Sequence, residues 1–336
     1  MVLGTGGIIK NARMYNDKNV LFCGVIYMAE DLYAMAEGVH VFIPEITVKE
    51  GVVLRPRCPM IVDQGTSSII TMEDVHRARK LKPDIVLSYI NTPLSIKGET
   101  DGVYNGTSAL EVIDKIAGTN DRGRAVLIGD INVNEWIAVK TAQKHPDFTV
   151  ISMPPEGVQC PPHIIIDPEE FRFMWEELVR IHGEENVGLE MHPEVNSDLR
   201  RFGFEKNAYF GGTDGMVKLP LESDKRVWLI GTVEGIIDRI KMLNDEKELH
   251  SPGVICPNMA YTTPSKVERA REIMENGGPA ATIYYRHPER PYYDVEIHRE
   301  ELITQRGDGS MKIPAVELAI DDEIKEKGER ALSVLL

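Results

Sequence analysis

Two marks recur along this chain with a period close to 100 residues. Cys58-Pro59, Cys160-Pro161 and Cys256-Pro257 lie 102 and 96 residues apart. Gly4-Thr5, Gly106-Thr107 and Gly212-Thr213 lie 102 and 106 apart, and each threonine precedes the next Cys-Pro by 53, 53 and 43 residues. Apolar runs ending near a glycine fall between the marks: Val20-Leu21-Phe22 before Gly24, Val126-Leu127-Ile128 before Gly129, and Trp228-Leu229-Ile230 before Gly231. Such a period is too long for a solenoid repeat and matches a small domain. The chain therefore reads as a triplicated unit: repeat one over 1–83, repeat two over 84–168, repeat three over 169–275, and a tail over 276–336.

The runs Asp84–Tyr89, Ala125–Gly129, Phe148–Met153, Val187–Met191, Val227–Gly231 and Gly253–Ile255 read as buried strands. Helix starts stand between them. Thr71 precedes Glu73-Asp74, and Asp167-Pro168 and Thr263-Pro264 place a capping residue before a proline at the first helical position. Strands alternating with helices predict an α/β fold: three pseudo-symmetric αβα domains with small parallel sheets around a central site. An initial strand is expected to be absent from repeat one. Residues from about 276 to 314, with Tyr284-Tyr285, Tyr292-Tyr293 and many prolines, read as an insertion, followed by a final helix over 321–335.

The net charge of −15 argues against a nucleic-acid or anionic-membrane partner, which needs clustered Lys and Arg. No apolar stretch reaches the roughly 18 residues of a membrane span. The opening Met1–Gly7 lacks the pattern of a secretory leader, so a cytoplasmic location is expected. Four cysteines in 336 residues do not make a disulfide framework, and they point instead to metal binding or catalysis.

In parallel sheets ligands gather at the carboxyl ends of the strands. Each Cys-Pro follows a predicted strand, so three thiolates could meet at one spot, with proline stiffening each ligand loop. Three thiolates suit zinc or an iron–sulfur cluster and leave one metal position open. Cys23 lacks the proline and reads as a buried, inert thiol in an apolar strand. The Gly-Thr turns offer close backbone approach, a hydroxyl and unpaired N–H groups to a carboxylate or phosphate; an ordinary strand-to-helix turn is the plainer alternative. His192-Pro193-Glu194 ends a buried strand and could supply an acid–base pair. Tyr89 and Asn91 end the matching strand of repeat two, and His163 follows Cys160 by three residues.

These segments resemble the quinolinate synthase family, iron–sulfur enzymes of NAD biosynthesis. Gly24-Val25-Ile26-Tyr27-Met28-Ala29-Glu30 is similar to the family's Gly-Val-x-Phe-Met-Ala-Glu. Cys58-Pro59-Met60, Tyr89-Ile90-Asn91, Glu156 to His163, His192-Pro193-Glu194, Gly212 to Met216 and Cys256-Pro257-Asn258-Met259 match in order. The resemblance implies that Cys58, Cys160 and Cys256 hold a [4Fe–4S] cluster whose open iron acts as a Lewis acid. It implies condensation of iminoaspartate with dihydroxyacetone phosphate, with L-aspartate oxidase or dehydrogenase as a possible supplier. Carried over residue by residue, Glu194, His192 and Tyr89 are catalytic, and Asn91, Thr5, Thr107, Thr213 and His163 bind substrate. The chain departs from the family in showing no His-x-Tyr strand before Leu3, in Gly106 and Gly212 where serine is expected, and in its tail. A paralogous lyase or condensing enzyme for another small acid, or a non-catalytic iron–sulfur sensor, is the alternative reading.

Overall fold

The computed structural model describes residues 5–58, 70–244, 246–287 and 292–335. The side chain of Thr5 and all of Pro59 and Met60 lie outside the described residues, to which every statement below applies. Contacts divide the chain into two compact units, one spanning Asn105–Cys256 and the other Thr5–Tyr104 with Pro257–Leu336.

The first unit carries a parallel sheet in the order Glu248–His250, Val227–Gly231, Val187–Met191, Tyr209–Phe210. Its two inner strands have the predicted bounds and are buried at every position, which is why they read as apolar runs, interrupted only by the buried Glu190. Met216 and Val217 of the Thr213–Glu222 helix and Ile236, Ile237 and Ile240 of the Gly235–Leu243 helix cluster with Trp228 and Ile230. The Pro168–His182 helix begins as predicted: the Asp167 carboxylate accepts the N–H groups of Glu169 and Glu170, and Pro168 needs no donor there. Gly253–Ile255 is not a strand. The paired segment is the preceding Glu248–His250, an edge strand with two polar residues that gives no apolar signal.

The same unit holds a second parallel pair, Arg124–Asp130 with Thr149–Val158. Its register shifts between Ile128 and Asp130, so Asp130 comes to face Val158. Gly157 sits at φ +79°, a conformation that a side chain resists, and this kink delivers the following residues to the strand end.

The second unit is built on a mixed sheet of seven strands. The main order is Asn19–Leu21, His40–Lys49, Met311–Ile320, Ala281–Tyr285, Tyr293–Ile297, with Val52–Arg55 and Thr304–Gln305 attached to neighbours. The tail supplies strands to this sheet. Its strands pair with each other and with residues 41–48, contacts too distant in sequence to be visible there. A parallel pair, Ile85–Tyr89 with Gly102–Tyr104, completes the strands. Thr71 and Asp74 form a reciprocal capping box at the Met72–Lys80 helix, and Asp321 caps the closing Asp322–Leu332 helix. The fold class is α/β with small parallel sheets, as expected. No described helix is long and apolar enough to cross a membrane.

Candidate active site

In the Asn105–Cys256 unit, four of the predicted residues meet at strand ends. Cys160 follows the Thr149–Val158 strand and opens the short Pro161–Ile164 helix. One helical turn brings His163 back toward it, with Nδ1 at 3.1 Å from Cys160 Sγ. His163 Nδ1 also lies 2.8 Å from Glu194 Oε2, and its Nε2 lies 2.8 Å from the Thr232 hydroxyl. His192 stacks on His163, with ring centroids 4.6 Å apart and planes inclined by 16°. Cys160 Sγ, a His163 nitrogen and a Glu194 oxygen all lie within 4.8 Å of one another, a group able to hold a metal ion.

The surrounding bonds fix protons and charges. The Glu194 N–H donates to His192 Nδ1 at 3.3 Å, so His192 carries its proton on Nε2. Burial lowers the His192 pKa to about 4, against the opposing pull of Glu194, so the imidazole is neutral at pH 7. Glu194 is itself 3% exposed, and its carbonyl accepts from Asn132 Nδ2 at 3.3 Å. Arg200 sends its donors to Asn132 Oδ1, to the Val195 carbonyl and to Glu135.

Asp130 was not singled out in the sequence, yet it organises the cysteine loop. Its Oδ2 accepts the Cys160 N–H at 2.8 Å, and its Oδ1 accepts those of Asn132 and Val133 at 2.8 and 3.1 Å. Burial first, and the Glu194 charge second, push its carboxyl well above the usual range. The signal was legible: an aspartate directly after a predicted strand and before a helix. Thr232, at the end of the adjacent strand, was likewise passed over.

The other predicted residues have separate settings. Thr107 and Thr213 stand exposed in the first turns of the Gly106–Ala117 and Thr213–Glu222 helices, and Thr107 Oγ1 donates to the Asn105 cap. A methyl group on Gly106 would meet Pro193 Cγ at 3.4 Å, so that turn packs directly on the His192-Pro193-Glu194 segment. Thr5 opens the Thr5–Asn11 helix. Cys256 is half-buried beside exposed Ile255.

In the other unit, Tyr89 ends its strand buried against Tyr104, with ring centroids 5.3 Å apart. Asn91 Oδ1 accepts the Tyr27 hydroxyl at 2.6 Å, which adds Tyr27 to the candidate residues. Cys58 is buried after the Val52–Arg55 strand, and Arg55 Nη1 donates to Asn258 Oδ1 at 2.6 Å. None of the four cysteines is in a disulfide. Cys23 is exposed rather than buried, because its strand stops at Leu21.

Comparison with known proteins identifies the family. A family model described as quinolinate synthetase A protein matches residues 7–284. A quinolinate synthase from Caldicellulosiruptor bescii is 27% identical over 257 residues, covering 76% of this chain and 73% of that protein. One from Methanothermobacter thermautotrophicus is 28% identical over 264 residues, 78% of this chain and 76% of its own. One from Methanopyrus kandleri is 26% identical over 263 residues, 78% of each. The chain belongs to the quinolinate synthetase A family and is an enzyme of the quinolinate synthase type.

Proposed function

We propose that this protein forms quinolinate for NAD biosynthesis by condensing iminoaspartate with dihydroxyacetone phosphate, releasing water and phosphate. The observation that carries the reading is the meeting of His192, Glu194 and His163 beside the Cys160 thiol. A buried carboxylate next to a neutral imidazole is the equipment for moving protons on carbon and oxygen.

In this reading Cys58, Cys160 and Cys256 hold a [4Fe–4S] cluster. The donor set fits: three thiols, none oxidised to a disulfide, each followed by proline in the sequence. When bound, the cluster supplies an iron without a protein ligand, which polarises a substrate oxygen. The chain's own residues do the rest. Glu194 takes and returns protons, and Asp130 keeps the Cys160 loop in place through the Cys160 N–H. His192 presents its Nε2–H as a neutral donor. Tyr89 and Asn91 orient the intermediate, with Tyr27 fixing Asn91. Thr5, Thr107 and Thr213, each at a helix start, contact the carboxylate or phosphate. His163 contacts substrate from the cysteine loop. The division into three αβα repeats belongs to the same reading, because it assigns one Cys-Pro to each. An aspartate oxidase or dehydrogenase would supply the unstable imine.

The test is an anaerobic turnover assay with both substrates. The native chain should form quinolinate. Glu194→Gln should lose about 10²–10⁴-fold in turnover while its iron content stays unchanged. Native turnover at background, or full turnover in Glu194→Gln, would refute the reading.

A further inference from the structure

Cys160, His163 and Glu194 make a ligand set that is complete without the other two Cys-Pro thiols. We propose that the cluster-free protein binds one zinc-class divalent cation at Cys160 Sγ, His163 Nδ1 and Glu194 Oε2, and that this ion keeps the cluster out. The second half rests on the reading of Cys160 as a cluster ligand; the first half does not.

Geometry is the first argument. The three donor atoms lie within 4.8 Å of one another, with Sγ to Nδ1 at 3.1 Å and Nδ1 to Oε2 at 2.8 Å. Ordinary zinc bond lengths in a tetrahedron put sulfur about 3.5 Å from nitrogen and nitrogen about 3.4 Å from oxygen. The two pairs through Nδ1 need to part by about half an ångström, while Sγ and Oε2, within 4.8 Å of each other, need to settle at about 3.6 Å, movements within reach of side-chain rotation. Three protein ligands then leave a fourth position for water.

The chemistry of the set is the second argument. A thiolate, an imidazole and a carboxylate suit zinc or cobalt(II) and are poor for calcium or magnesium. The thiolate and carboxylate together cancel the charge of a divalent ion. The loop is also braced from outside. His163 Nε2 faces the Thr232 hydroxyl at 2.8 Å, so an Nε2–H donated to Thr232 leaves the Nδ1 lone pair toward Cys160 and Glu194. Cys160 is held through its own N–H by Asp130 at 2.8 Å. Such second-layer bonds orient metal ligands and raise their affinity.

An ion in this position takes the Cys160 sulfur and the Glu194 carboxylate together. Cluster assembly needs the first and proton transfer needs the second, so zinc is predicted to hold the protein in an inactive form until chelated.

Cobalt(II) is the probe, added to the full-length chain freed of iron under anaerobic conditions. One cobalt per chain should bind with thiolate-to-cobalt charge-transfer absorption, and zinc should displace it. Cys160→Ser should abolish the absorption. His163→Gln and Glu194→Gln should weaken binding at least about 10-fold, and Thr232→Val about 10-fold. Cys58→Ser and Cys256→Ser should bind as the native chain does. Absence of native binding would overturn the inference. So would binding lost in Cys58→Ser and Cys256→Ser but kept in His163→Gln and Glu194→Gln, which would place the ion on the three cysteines. Exclusion is read separately, by iron and sulfide uptake before and after zinc saturation. Uptake should fall to background with zinc bound; full uptake beside bound zinc would refute exclusion. A zinc-free chain that takes up no cluster would instead refute the proposed function and leave the cobalt result standing.

Discussion

Two buried carboxyl clusters in this protein have opposite accounts. In the Thr5–Tyr104 and Pro257–Leu336 unit, Asp31 is fully buried but receives Lys97 Nζ at 2.5 Å. Its neighbour Glu30 accepts the Leu94 N–H at 3.0 Å and the Tyr293 hydroxyl. The Asp31 charge there meets a cation from the same chain through Oδ1, though its Oδ2 has no hydrogen-bond partner among the described residues. In the Asn105–Cys256 unit, Asp130 and Glu194 raise each other's cost of ionisation beside a thiol and two imidazoles. A buried cluster with its own cation is tied to stability, whereas one with surplus negative charge is poised for a ligand.

Replacing Lys97 is the strongest way to break this comparison. Lys97→Met leaves the Asp31 carboxyl buried without its cation and should cost about 3–5 kcal/mol of stability. Adding Asp31→Asn to it should restore much of the loss. Glu194→Gln, in contrast, should change stability by less than about 1 kcal/mol while it abolishes turnover. Urea unfolding curves of the four chains check both arms. A Lys97→Met chain as stable as the native one would remove the distinction.

A smaller effect sharpens it. Glu190, in the strand that His192 follows, is fully buried, and neither carboxyl oxygen has a hydrogen-bond partner among the described residues. Burial pushes its pKa up to about 9 from 4.5, so it keeps its proton at neutral pH. The folded chain then binds one more proton than the unfolded chain between those values, and stability falls as pH rises from 4.5 toward 9. Glu30, raised to about 7 mainly by burial, adds to the decline between 4.5 and 7. Glu190→Met should gain about 1–3 kcal/mol and flatten the decline above pH 7. Melting temperatures at about pH 5 and about pH 8 measure it; a variant with the native slope would contradict this account.

What could be read in the sequence follows from which signals are local. Val187–Met191 and Val227–Gly231 were legible because inner strands of a parallel sheet are apolar at almost every position, Glu190 being the exception here. Asp167 and Thr71 were legible because a cap and its helix are adjacent in the chain. Glu248–His250 was missed because an edge strand can be polar. The strand pairing of the tail was not legible because Met311–Ile320 finds His40–Lys49 across more than two hundred residues. In the site, His192, Glu194, His163 and Cys160 were legible as motifs. The Asp130 hold on the Cys160 N–H was not, since it depends on a shifted register between two strands. Cys23 was misjudged from its apolar neighbours, which lie on a strand that has already ended.

The central claim is that three of the four thiols ligate one iron–sulfur cluster. Iron and acid-labile sulfide counts on anaerobically purified protein test it most directly. The account predicts about four of each per native chain. Cys58→Ala, Cys160→Ala and Cys256→Ala should fall to background, and Cys23→Ala should keep the native content. Native content in any of the first three, or loss in Cys23→Ala, would contradict it.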